Sequence, residues 1–294
     1  MFKKTMKKLA CGVLAIASIT ACMSTFSACE TAHPEVEMTI QFDGKDYVLE
    51  YQLYRNVAPS TVNHFLWLAE NGYYNGLCVH DYKSDKLYTG AYSVDAEADA
   101  GLKYKAYYEE VAKLNAAAIA AGKNAFPVSV YADSEKANSL YNLYGEFEDN
   151  NFHVENGDKS EAFGSLTMYY NTKSTDERVY VVRNDDKQTL AGRDYKYNSA
   201  TSQFYITLGD ANTNNTAYCT FAYLVDDEDN VQALTDLKAA IQEKVDEAKE
   251  TEGSFTDSRS IVVNQDDAYV GSRTETFKVP TEAIVIKSVV VTKF

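Results

Sequence analysis

Ser202-Gln203-Phe204-Tyr205-Ile206-Thr207 decides how this chain is to be read, because a polar pair feeds directly into an aromatic and β-branched run. Such residues fit a pleated, half-buried surface, so the stretch predicts a strand rather than a helix. Working outward, residues 36–42 and 47–54 alternate apolar and polar side chains around Asp43-Gly44-Lys45-Asp46, which is a hairpin signal. Residues 78–82, 86–88, 163–170, 179–183 and 220–225 read as further strands, and Pro280 introduces another, rich in Val and Ile, over 284–291. The 23 tyrosines suit a strand-rich protein with surfaces that must be both apolar and polar.

Helical spacing appears in three places. Pro59 opens a segment in which Val62, Phe65, Leu66 and Ala69 repeat on one face, with Trp67 at its margin and Gly72 just past its end. Residues 104–121, rich in Ala, Glu and Lys and ended by Gly122, form a second, read as a packed or solvated decoration. Val231, Leu234, Leu237, Ile241 and Val245 mark a third, with Asp229 or Asn230 as its N-cap and an end near Lys249. Residues 251–276 read as loop.

The N-terminus stands apart. Lys3, Lys4, Lys7 and Lys8 precede an uncharged run from Leu9 to Ala21, the pattern of a bacterial signal peptide, too short for a membrane span. Ile19-Thr20-Ala21-Cys22 fits a lipobox, and Phe26-Ser27-Ala28-Cys29 competes with it; Ile is the more usual first residue, which favours Cys22 as the lipidated one. Residues 22–34 are then a tether, and the protein is expected on the extracytoplasmic face of a bacterial cell membrane, held by lipid alone. Loss of residues 1–21 removes four lysines and no acid, taking the formal charge from −15 to −19. Such a surface repels phosphate backbones and excludes nucleic acid as a partner.

Nothing in the sequence calls for a metal or cofactor. Cys78 and Cys219 lack zinc-ligand spacing and are expected as buried free thiols, a disulfide being the alternative in an exported protein. His33, His64, His80 and His153 are scattered. Asp226-Asp227-Glu228-Asp229-Asn230 lacks the glycine and distant glutamate of a calcium loop and reads as a solvated turn into a helix. Ser202 has no nucleophile-elbow context.

Three segments, in order, carry a resemblance to the cyclophilin family: residues 58–76 from Ala58-Pro59 to Asn75-Gly76; Tyr144-Gly145-Glu146-Phe147-Glu148-Asp149-Asn150-Asn151-Phe152 followed by Gly164-Ser165-Leu166-Thr167-Met168; and the opening stretch. The resemblance implies a mainly β fold, a closed antiparallel barrel of about eight strands plugged by two helices. It occupies residues 35–294, with insertions at about 93–140, 171–197 and 236–276. It also implies peptidyl-prolyl cis-trans isomerisation, in which an arginine beside an apolar proline pocket hydrogen-bonds the imide nitrogen as the amide twists over its barrier of roughly 18–20 kcal/mol. In the family that arginine lies in F-H-R-x-x-x-x-F-x-x-Q-G-G-D. Here the equivalent run is Val79-His80-Asp81-Tyr82-Lys83-Ser84-Asp85-Lys86-Leu87-Tyr88-Thr89-Gly90-Ala91-Tyr92. Asp81 stands at the arginine, Lys86 at a pocket phenylalanine, Thr89 at a glutamine, and Tyr218 at a pocket histidine, while Gln203 is kept and Tyr205 replaces a phenylalanine.

An ionised carboxylate only accepts hydrogen bonds, so Asp81 cannot play the arginine's part. Arg178, Arg183 and Arg193 are read as solvated rather than as substitutes. The candidate groove is Asp81, Leu87, Thr89, Tyr169, Tyr170, Gln203, Tyr205 and Tyr218, with no catalytic residue assigned. Two functions follow: an isomerase of weak or lost activity on extended or proline-containing segments of exported proteins, or a non-catalytic peptide- or ligand-binding module on the same barrel. An acidic floor at Asp81 favours a basic partner, and the protein is expected as a monomer.

Overall fold

Asp43 and Gly44 both take positive φ, 46° and 71°, so the chain reverses within two residues. This pairs β1 (Glu35–Phe42) with β2 (Lys45–Leu53) from Glu35↔Gln52 to Phe42↔Lys45. A two-residue turn with φ > 0 at both central positions matches the right-handed twist of the flanking strands. Val36, Met38, Ile40 and Phe42 are buried from one strand, and Leu49, Tyr51 and Leu53 from the other. In the computed structural model residues 32–83, 85–98, 101–147, 159–170, 178–183, 187–194, 199–209, 218–263 and 272–294 are described. The signal segment, Cys22, Cys29 and His153 lie outside them.

After β2 come α1 (Pro59–Glu70), β3 (Leu77–Cys78), β4 (Asp81–Lys83), β5 (Lys86–Thr89), β6 (Tyr92–Val94), β7 (Leu102–Tyr104) and α2 (Tyr107–Ala120). The middle of the chain supplies β8 (Val130–Tyr131), β9 (Ser139–Leu140), β10 (Leu143–Tyr144), β11 (Leu166–Tyr170), β12 (Arg178–Val182), β13 (Leu190–Asp194), β14 (Ser199–Thr207) and β15 (Thr220–Leu224). It ends with α3 (Glu228–Glu250), β16 (Thr256–Val263), β17 (Arg273–Pro280) and β18 (Val285–Lys293).

The main antiparallel sheet runs β4-β5-β14-β11-β15-β2-β1-β18-β3-β6-β7, with β10 added beside β14. Its curl brings the ends together through the chain itself, since β3 and β4 are consecutive pieces of residues 77–83. On the β18 side the Val79 N–H donates to Ile284 O at 2.9 Å, and on the β5 side the His80 N–H donates to Tyr88 O at 3.0 Å. The sheet is therefore strongly curled but not laddered strand to strand into an eight-stranded ring, because β6 and β7 continue past β3. Phe65 of α1 enters the interior against Tyr74, Phe204 and Phe221, with ring centroids 4.9, 5.5 and 5.1 Å away. Leu234, Leu237 and Ile241 of α3 are buried as its periodicity predicts.

Three local expectations are corrected. The N-cap of α3 is Asp227, whose carboxylate accepts from the Asp229 and Asn230 N–H groups. Asn230 is instead turned inward, accepting from Glu50 N at 2.8 Å and donating to Glu50 O and Val225 O, both at 2.9 Å, which pins the helix to β2. Residues 179–183 belong to no barrel strand: β12 joins a separate sheet, β13-β12-β8-β9, where the first and second insertions pair with each other. Residues 251–276 are not simply loop, since β16 and β17 pair over eight residues from Thr256↔Pro280 to Val263↔Arg273. That ribbon was hidden because Thr256-Asp257-Ser258-Arg259-Ser260 shows no apolar alternation. Its buried side chains, Ile261, Val263, Phe277 and Val279, gather in a satellite cluster with Cys78, Ala91, Tyr92 and Leu102. Cys78 and Cys219 are buried free thiols.

Candidate functional site

Across β4, β5, β14 and β11 the register sets Asp81 opposite Tyr88, Tyr88 opposite Tyr205, and Tyr205 opposite Thr167. Directly opposed residues of neighbouring strands share a face, so these four form one row on the outside of the sheet. The next row, Leu87, Ile206 and Leu166, lines the interior. Thr89 pairs with Phe204 and shares that inward side, its hydroxyl donating to Cys78 O at 2.9 Å. The candidate residues therefore divide. Asp81, Tyr169, Gln203, Tyr205 and Tyr218 are brought together on the outer face, whereas Leu87 and Thr89 point away into the core. The side chain of Tyr170 lies outside the described residues.

Aromatic rings pave the outer row. Tyr88 meets Tyr205 at 5.0 Å and Tyr169 at 5.7 Å, and Tyr218 stands perpendicular to Tyr205 at 6.3 Å. The Tyr205 hydroxyl donates to Glu161 Oε1 at 2.6 Å, while Lys86 Nζ pairs with Glu161 Oε2 at 2.5 Å and sits 4.5 Å over the Tyr205 ring. Burial, reinforced by this acceptor carboxylate, drives the Tyr205 phenol far above its ordinary range. Tyr169 is pushed up to about 12, mainly by burial, with the Glu275 charge adding and Arg273 opposing. These phenols are neutral donors throughout the physiological range.

Asp81 is 2% exposed. Its Oδ1 accepts the Lys278 backbone N–H at 2.8 Å, and its Oδ2 pairs with Lys83 Nζ at 2.5 Å, with Lys83 in turn 5.1 Å over the Tyr88 ring. Both oxygens are engaged and the charge is compensated locally. The acidic floor expected from the sequence is thus engaged within the chain, by Lys83 and the Lys278 N–H. Beside Asp81, His80 is wedged between Tyr92 at 4.9 Å and Phe277 at 5.0 Å and hydrogen-bonds the Gln203 side chain. Burial first, then the Lys83 charge, lowers its pKa to about 3, so it is a neutral packing residue.

Sequence reasoning missed Tyr88, Glu161, Phe277 and Lys278. Strand alternation alone places Tyr88 with Lys86 on the outer face, but no local signal points to Glu161 or to the ribbon. Arg178, Arg183 and Arg193 belong to β12 and β13 or the residue after β12, in the sheet formed by the insertions. Among the described residues no group of three His, Cys, Asp or Glu side chains could hold a metal, and no helix is long and apolar enough to cross a membrane.

A curled antiparallel sheet entered by one helix, with an aromatic row on its outside, is the frame that holds these residues. The chain belongs to the cyclophilin family: the family model described as cyclophilin type peptidyl-prolyl cis-trans isomerase/CLD matches residues 36–252. Among solved structures it is similar to a cyclophilin type peptidyl-prolyl cis-trans isomerase of Cryptosporidium parvum, at 17% identity and a TM-score of 0.41, over 89% of this chain and 99% of that one. It is likewise similar to that protein crystallised in the presence of the dipeptide Ala-Pro, at 17% identity and a TM-score of 0.39, over 88% and 99% of the two chains. A search of curated proteins finds no match.

Proposed function

We propose that this chain is an exported cyclophilin that binds extended, proline-containing peptide segments along its tyrosine-lined outer face and isomerises them weakly or not at all. The carrying observation is Asp81, a buried carboxylate with both oxygens engaged, at the position where the resemblance implies the arginine. With both oxygens already engaged it does not reach out as a donor to an imide nitrogen, and loss of one preorganised donor lowers rates by about 10²–10³ in other enzymes. The rigid rings of Tyr88, Tyr169 and Tyr218, partly exposed around the buried Tyr205, supply contact area at small entropic cost. Family membership supplies the ligand class, peptidyl-prolyl segments.

Two experiments test this. In a protease-coupled isomerisation assay the mature protein gives a rate at least 10²-fold below an arginine-bearing member, while a labelled proline peptide still binds and loses affinity in Tyr88→Ala; a full family rate, or no peptide binding, rejects the reading. Export and anchoring are tested separately. Acyl labelling and membrane association are lost in Cys22→Ala and kept in Cys29→Ala; the reverse pattern moves the anchor to Cys29, and no acylation of either removes it.

A further inference from the structure

The ribbon of β16 and β17 begins just after the segment matched by the family, which ends at residue 252. It forms a two-stranded sheet of its own, with no ladder to the main sheet. Its base is fixed, since Thr281 donates through both N–H and hydroxyl to Phe255 O at 2.8 and 3.0 Å, and Phe255 is buried against Phe42 and Tyr82. Beyond the base it lies on the outer face through side chains. Phe277 closes over His80 and Tyr92, and Ile261, Val263 and Val279 cover the apolar strip of Cys78, Ala91, Tyr92 and Leu102. The polar tie to β4 is the Asp81 carboxylate, which takes the Lys278 N–H that β16 does not use.

We propose that this ribbon is a releasable strap on the edge of the peptide groove and that Asp81 is its latch. Where the family places a catalytic donor, this chain places an acceptor that holds down a strand of its own. An extended segment gripped through its backbone N–H is itself the kind of ligand an outer groove takes, so the strap and a peptide compete for neighbouring surface. Release uncovers the strip from Cys78 to Leu102 beside the tyrosine row and widens the groove. A ribbon without ladder bonds to the barrel opens as a unit, at lower cost than the barrel strands. This rests on the peptide-binding reading above. It also predicts that Asp81→Arg frees the strap rather than simply restoring a donor.

Amide hydrogen exchange on the full folded chain tests the latch without any ligand. Lys278→Pro removes the donated N–H, Asp81→Ala removes the acceptor, and Asp81→Asn keeps an acceptor oxygen. The expected result is exchange at least tenfold faster in β16 and β17 for the first two variants, near wild type for Asp81→Asn, with β1 and β2 unchanged in all. Unchanged ribbon exchange, or acceleration across the whole barrel, overturns the latch. A fluorescein-labelled Ala-Ala-Pro-Phe peptide then reads the groove, and association at least threefold faster in Lys278→Pro is expected. A loosened ribbon with no change in association overturns the strap's role; if no form binds the peptide, the functional reading fails and the guarded groove falls with it, while the exchange result still decides the latch.

Discussion

The two faces of β5 and β14 obey different rules. Inward, Leu87, Phe204 and Ile206 are all at most 1% exposed and pack by shape against α1 and the rest of the sheet. Outward, Lys86, Tyr88 and Tyr205 are held by directed interactions, the Glu161 carboxylate and stacked rings, and beside them Asp81 binds a strand from the other end of the chain. The same strands thus carry a fold on one side and altered chemistry on the other. Because side chains alternate with period two, one face can be rewritten while the other keeps the barrel intact.

That contrast predicts a graded series. Phe204→Ala, which empties the ring contacts with Phe65 and Tyr74, is expected to cost about 4 kcal/mol in urea unfolding. Gly90→Ala comes next, on the order of 3 kcal/mol, since φ there is 97° and a Cβ would lie 2.4 Å from Ser202 O. On the outer face Tyr205→Phe removes one hydrogen bond to a buried carboxylate and is expected to cost about 2 kcal/mol. An inward substitution milder than that outward one would break the comparison.

The pH response is smaller and sharper in meaning. Burial holds His80 at about 3, below its free value of 6.5, so the unfolded chain takes up the proton first. Its contribution to stability is therefore intact above about pH 6.5 and is lost progressively as pH falls toward 3. Imidazole NMR should show one neutral tautomer down to about pH 4; titration near 6.5 would mean that the Phe277 cover is not in place. Smallest of all, Cys78, raised to about 12 by burial, and Cys219, also buried, should react with a thiol reagent only on unfolding.

Much of the scaffold was legible. The Asp43-Gly44 hairpin, Pro59 opening α1, the alternation of β14 and the apolar face of α3 are each written in one short stretch, because turn chemistry and burial periodicity are local. The site was legible by half. Asp81, Tyr169 and Tyr205 lie together on one face of the sheet while Leu87 and Thr89 turn inward, a division the motif could not show because it carries identities and not the facing of each residue. Glu161 could not be found at all: it lies just before the Gly164 segment but outside it, and meets Lys86 only across the folded sheet.

By itself the sequence determined a strand-rich protein with a cyclophilin's order of segments and a carboxylate at position 81, because composition and periodicity are properties of neighbours along the chain. The tertiary structure alone decided what that carboxylate does. Besides the nearby Lys83, Asp81 holds Lys278, 197 residues away on a ribbon with a weak apolar pattern of its own, and a hydrogen bond closed over such a distance is fixed by packing of the whole chain rather than by any stretch of it.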